Sequence, residues 1–125
     1  MSGPGYEFVR PFKAGGAINI YRMVKISAND TVVQCTATTD KPIGIALEEI
    51  SAGDATAGRQ VAVCVFGISR VIAGAAIAAG ADVGPDASGR AITATATNYT
   101  VGKALESAST AGDHVDITFL PGTVL

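Results

Sequence analysis

Residues 61–66 read VAVCVF. Six apolar side chains in succession load both faces of any strand built from them, so this strand needs cover on two sides. Working outward, Ile43, Ile45 and Leu47 alternate after Pro42, and Val115, Ile117 and Phe119 alternate near the C-terminus. Ile18, Ile20, Val24 and Ile26 share a face, with Arg22 the exception. Val33, Cys35 and Ala37 follow an Asn29-Asp30 turn, and Ile92, Ala94 and Ala96 lie opposite Thr93, Thr95 and Thr97. Turn residues separate these runs at the spacing of a small sandwich or barrel. One stretch, Ala75–Ala79 before Gly80, reads as a turn or two of helix.

Composition agrees with strands. Val and Ile total 23 against 6 for Leu and Met, and 12 Thr add further β-compatible side chains. The 22 Ala mostly alternate with Thr, Val or Ile, as small filler where sheets or subunits approach closely. At 125 residues and 48% apolar, the chain is one domain able to bury its own core, and not a disordered tail. No apolar run approaches the ~20 residues of a membrane span, and MSGPGYEF does not open like a secretory signal. A net charge of −2 gives no basic footprint for nucleic acid. The expected partners therefore include neither membrane nor nucleic acid.

The chain also echoes itself. IGIALE at 43–48 returns as VGKALE at 101–106, each followed by Ala-Gly-Asp and then by an apolar strand, VAVCVFG at 61–67 and VDITFLPG at 115–122. The reading is a strand, a Gly-Asp turn and a returning strand, used twice about 58 residues apart, too few copies for a solenoid.

Residues 1–16 stand apart. Pro4, Pro11 and four glycines oppose regular structure there, yet Tyr6, Phe8 and Phe12 are too apolar for a free tail, so the segment should dock either on its own domain or on a partner. Through Lys25 the chain nets +3, from Arg10, Lys13, Arg22 and Lys25 against Glu7; the rest nets −5. The expected organisation is an extended N-terminal arm over 1–16 and a single β domain over 17–125.

Catalytic groupings are scarce. His114, the sole histidine, shares a strand face with Asp116 and Thr118, a solvated face with no nucleophile elbow in the sequence to serve. Glu48 and Glu49 are adjacent and point to opposite faces; Glu48 and Glu106 read as edge or loop charges. ADVGPDASG at 81–89 lacks the spacing of a calcium loop and reads as an Asx-capped turn. Lys41 and Lys103 do not sit at hairpin tips as a carrier lysine would. Cys35 and Cys64 read as buried thiols; with one histidine they make no tetrahedral metal set. No enzyme, metal or cofactor is expected.

The order of elements is more distinctive than any one of them: AINIYRMVKI at 17–26, DKPIGIALE at 40–48, Ala-Gly-Asp, VAVCVFGISRV at 61–71, GAAIAAGADVGPDASGRA at 74–91, YTVGKALE at 99–106 and VDITFLPG at 115–122. Over residues 17–122 it resembles the head decoration, or capsid cement, proteins of tailed bacteriophages. The resemblance implies a mostly β fold, a small sandwich or open barrel of β-tulip type, bound to the outside of an icosahedral head where major capsid subunits meet. It implies a homo-oligomer, a trimer, made in the bacterial host cytoplasm, carried on the virion and reinforcing the shell. It also implies an N-terminal arm that adds to the capsid's strands. Tyr6, Phe8 and Phe12 would then be aromatic anchors, with Arg10 and Lys13 facing acidic capsid surface. A self-assembling shell or tube subunit, or a small adhesin-like binding module, is the alternative expectation.

Overall fold

The computed structural model describes residues 7–95 and 99–120. Its elements run β1 (Glu7–Ala14), β2 (Met23–Ala28), β3 (Thr31–Gln34), β4 (Gly44–Ala46), α1 (Ala52–Thr56), β5 (Gln60–Ile72), β6 (Asp82–Pro85), β7 (Ala91–Thr93), β8 (Gly102–Lys103) and β9 (His114–Phe119). The mostly β expectation holds, and the VAVCVF run lies within the long strand β5.

β5 organises everything else. Its first half pairs antiparallel with β1, from Lys13↔Gln60 to Glu7↔Gly67, and with β4. β4 continues to β2, β2 to β3, and β3 returns in parallel to β1. The result is a closed five-stranded mixed barrel rather than a sandwich or an open barrel. Closure follows from the N-terminal segment: β1 fills the gap between β3 and β5, so neither is left as a bare edge. Residues 7–14, part of the expected N-terminal segment, thus pair as a strand of the barrel. Pro11 fits because a strand tolerates proline where its N–H is not needed.

The second half of β5 begins another unit. It pairs with β9 from Gly67↔Phe119 to Ile72↔His114, while β7, β6 and β8 form a small sheet. The bridges Ala73↔Ala91 and Ala104↔Ile117 tie that sheet back to β5 and β9. Every pairing of the first unit has its double in the second. Ala14↔Val32 is matched by Ala73↔Ala91, Val24↔Gly44 by Val83↔Gly102, and the bridge Ile18↔Ile50 by Ile77↔Ala108. Tyr21, left-handed at φ 59°, has its double in Gly80 at φ 84°, and each amide donates to the carbonyl of a matching alanine, Ala46 or Ala104. The sequence echo at 43–48 and 101–106 is therefore the most visible part of a duplication that spans both units.

The interiors correspond as well. Phe12, Ala14, Ile18, Val24, Val32, Ala46, Ile50, Val61 and Val63 fill the first. Val71, Ala73, Ile77, Val83, Ala91, Ala104, Ala108, Val115 and Ile117 occupy the matching positions in the second. Several second-unit residues are smaller: Val71 stands for Phe12, Ala91 for Val32 and Ala108 for Ile50. The shortfall is made up by Phe119 and Val101 and by Met23, Cys35 and Ile45, which face away from the first interior and are fully buried in the second cluster. At roughly 1.5–3 kcal/mol per large buried side chain, this shared cluster makes the two units one body.

The units differ at one inserted turn. Ala52-Gly53-Asp54, expected as a turn, opens helix α1: the Ser51 hydroxyl accepts from the Asp54 amide at 3.1 Å, and Asp54 lies in the first turn, where the helix dipole favours an acid. The stretch Ala75–Ala79, expected to be helical, is irregular around the Ile77 bridge. Its alanines fail to form a helix because Ile77 exchanges both backbone bonds with Ala108 instead.

Candidate functional site

Four of the six exposed large apolar residues of the described chain, Phe8, Val9, Phe66 and Leu120, lie where β1, β5 and β9 run side by side; Ile26 on β2 and Leu105 after β8 lie apart. Phe8 on β1 is directly opposite Phe66 on β5, and their rings are 5.8 Å apart. Leu120 follows β9 one position past the Gly67↔Phe119 pair, so it continues the row beyond Phe66. The three side chains are 66%, 45% and 57% exposed. Val9, beside a bulge that sets Phe8 and Val9 against Phe66 and Cys64, adds to the same area. Large apolar groups held outward by the paired strands β1 and β5, with Leu120 just past β9, make a contact surface.

The residues singled out in the sequence divide around this row. Phe8 is its most exposed member. Lys13 is exposed and near the far end of β1, its backbone paired with Gln60 and Thr31. Phe12 points inward and is 6% exposed, a core residue of the first unit. Arg10 is engaged by its own chain: its guanidinium donates to Asp30 at 2.8 Å and lies 4.4 Å over the Phe12 ring. Tyr6 lies outside the described residues. Of the four described residues, Phe8 alone belongs to the row. Phe66 and Leu120 were missed; the available signal was their position at the ends of the two returning strands, VAVCVF and VDITFL.

The chemistry-bearing residues serve the fold. His114 is exposed and packs edge-on against Tyr21 at 5.7 Å. Asp86 accepts from the amides of Ser88 and Arg90, each at 2.8 Å, which makes the Asx-capped turn expected for residues 81–89. Glu48 and Glu106 are not idle edge charges: each accepts a backbone N–H from the neighbouring strand. Among the described residues no cluster of three or more His, Cys, Asp or Glu is placed to hold a metal.

What this molecule offers is rigid, closed strand structure with an outward apolar row, the character of a structural building block. The comparisons identify which kind. Residues 50–119 match the phage cement protein family, and the chain belongs to it. No curated protein matches the sequence. A solved structure described as the head fiber gp8.5 N base in bacteriophage phi29 is similar in fold, with a TM-score of 0.71 at 20% identity, over 94% of this chain and 98% of that one. The chain is a structural phage head protein.

Proposed function

We propose that this protein decorates the outer surface of an icosahedral phage head, binding the lattice of the major capsid protein and stabilising it, without catalytic activity. It is made in the host cytoplasm and acts on the virion as a homo-oligomer, a trimer. The observation that carries the reading is the apolar row Phe8–Phe66–Leu120 on a member of the cement family. Aromatic side chains held by paired strands lose little conformational freedom on docking, which favours them as anchors. Tyr6, next to the row in sequence, and Lys13, an exposed cation of β1, belong to the same capsid-facing segment. Arg10 and Phe12 support that segment from behind. Many copies on one shell make each contact effective even when weak alone.

The test is a binding assay on expanded, undecorated heads. Phe8→Ser and Phe66→Ser should lower occupancy at least tenfold while leaving the fold intact. Full occupancy by both variants would remove the row from the mechanism, and failure of the wild type to bind such heads would remove the capsid.

A further inference from the structure

One of the places where the units differ on a coinciding backbone changes apolar side chains into charged ones. Met23 and Ile45 are direct cross-strand partners on the outer face of the first unit. Both are fully buried, clustered with Val71, Val115 and Phe119 of the second. This pair is the seat on which the second unit rests. The corresponding partners in the second unit are Asp82 and Lys103. They form an ion pair at 2.6 Å, with the Lys103 side chain 64% exposed. The surrounding main chain repeats itself: Cys35 N–H donates to the Met23 carbonyl at 3.0 Å, and Ala94 N–H to the Asp82 carbonyl at 2.8 Å.

The element that uses the seat is also defined. In the β6–β7 turn, the Ser88 carbonyl accepts from Arg22 and Gln34, and the Gly89 carbonyl accepts from the Met23 amide at 2.7 Å. The matching turn of the first unit, around Asn29 and Asp30, is exposed. Among the described residues, one unit thus presents an exposed turn, held from its own side by Arg10 and the Lys13 amide, and the other an outer face that carries the ion pair. Surfaces of that relation join copies head to tail, and if the rotation does not close they grow filaments.

We infer that Asp82 and Lys103 stop this growth: they keep the outer face of the second unit from seating the Asn29–Asp30 turn of a second copy, so unit-on-unit docking ends at two. Seating a turn there would strip water from a charge pair where the first unit offers Met and Ile. Terminal units of repeat proteins keep a polar outer face for the same reason. The inference stands on the comparison of the two units and does not require the capsid reading.

The test is sedimentation of the full chain over a wide concentration range. Asp82→Met with Lys103→Ile should form larger species at a protein concentration at least tenfold below any at which the wild type does. Adding Ala28→Arg on the exposed turn should return the protein to wild-type behaviour. A folded double variant that sediments like the wild type overturns the inference, as does association that Ala28→Arg leaves unchanged. If the double variant does not fold, Lys103→Ile alone, a side chain mostly in water, is read by the same two outcomes.

Discussion

Glu48 and Glu106 hold the same post in the two units. A carboxylate oxygen of Glu48 accepts the Ala62 amide at 2.9 Å, and one of Glu106 accepts the Asp116 amide at 3.2 Å. Each lies next to a main-chain bond to the same strand, from Leu47 to the Ala62 carbonyl and from Leu105 to the Asp116 carbonyl. The glutamate completes a pair of bonds that the strand ladder leaves half made.

Removing the acceptor should therefore destabilise the fold. Glu48→Ala is expected to lower stability by about 1–3 kcal/mol, the usual range for stranding a partly buried donor. Glu106→Ala should lower it less, since water reaches the exposed Asp116 amide bond. Glu48→Gln should recover most of the loss. Urea denaturation of the three variants checks the order.

Gly44 and Gly102 are matched in the same way. A Cβ on Gly44 would lie 2.5 Å from the Cys64 carbonyl oxygen, and one on Gly102 would overlap the Thr118 carbonyl oxygen. Alanine at either place should force backbone apart, at roughly 1–3 kcal/mol or more. Gly16→Ala, where nothing stands within 4 Å, is the near-neutral control. Thermal melts of the three proteins read the contrast.

Phe8 and Phe12, four residues apart on β1, should part company under substitution. Phe12→Ala empties a buried site and should remove about 3–5 kcal/mol. Phe8→Ser, at a mostly exposed site, should change stability by less than about 1 kcal/mol. Equal losses would mean that the row is part of the core.

Acid should weaken the protein partly through Asp40. Burial alone would raise its carboxyl, but the Thr36 amide, the Lys25 ammonium at 3.0 Å and the Ala37 amide outweigh it and hold the group below the ordinary carboxylate range. A carboxyl depressed by folding stabilises at pH values above its unfolded value, about 3.9, and that contribution is lost as pH falls through the lower folded value. Asp40→Asn should thus be less stable than wild type at pH 7 and lose less on going to pH 3. Denaturation midpoints at the two pH values decide it.

Cys35 and Cys64 are buried thiols. Burial, reinforced by the charge of Asp40, pushes the Cys35 thiol up to about 12. A thiol-specific chromogenic reagent at pH 8 should find no reactive group in the native protein and two after denaturation. Rapid native labelling would contradict the burial.

Alternation and turn chemistry made the strands legible, because period-two patterns survive wherever one face is buried. The duplication was legible only at IGIALE and VGKALE. Elsewhere the agreement is scattered, as in Ala14 with Ala73, Ile18 with Ile77 and Val24 with Val83, and pairs such as Phe12 with Val71 or Tyr21 with Gly80 emerge only from the shared pairing and hydrogen bonding. Closure of the barrel was hidden for a different reason. Pro11 and the glycines of residues 1–16 argue locally against a strand, and the gap that β1 fills between β3 and β5 is a long-range property. The same pairing sets Arg10 against Asp30 and Phe12 in the first interior, contacts that no local pattern in residues 1–16 announces. Met23 and Ile45 could not be singled out as a seat until their doubles, Asp82 and Lys103, were known.

Gly67, midway along β5, faces Glu7 on one side and Phe119 on the other. A pull applied to the start of β1 or the end of β9 thus arrives at the centre of the longest strand. Such a load runs parallel to the ladders that flank β5 and is spread over many hydrogen bonds in shear, whereas a tug at a frayed corner would unzip them one by one. The geometry is that of a rivet gripped at its shank.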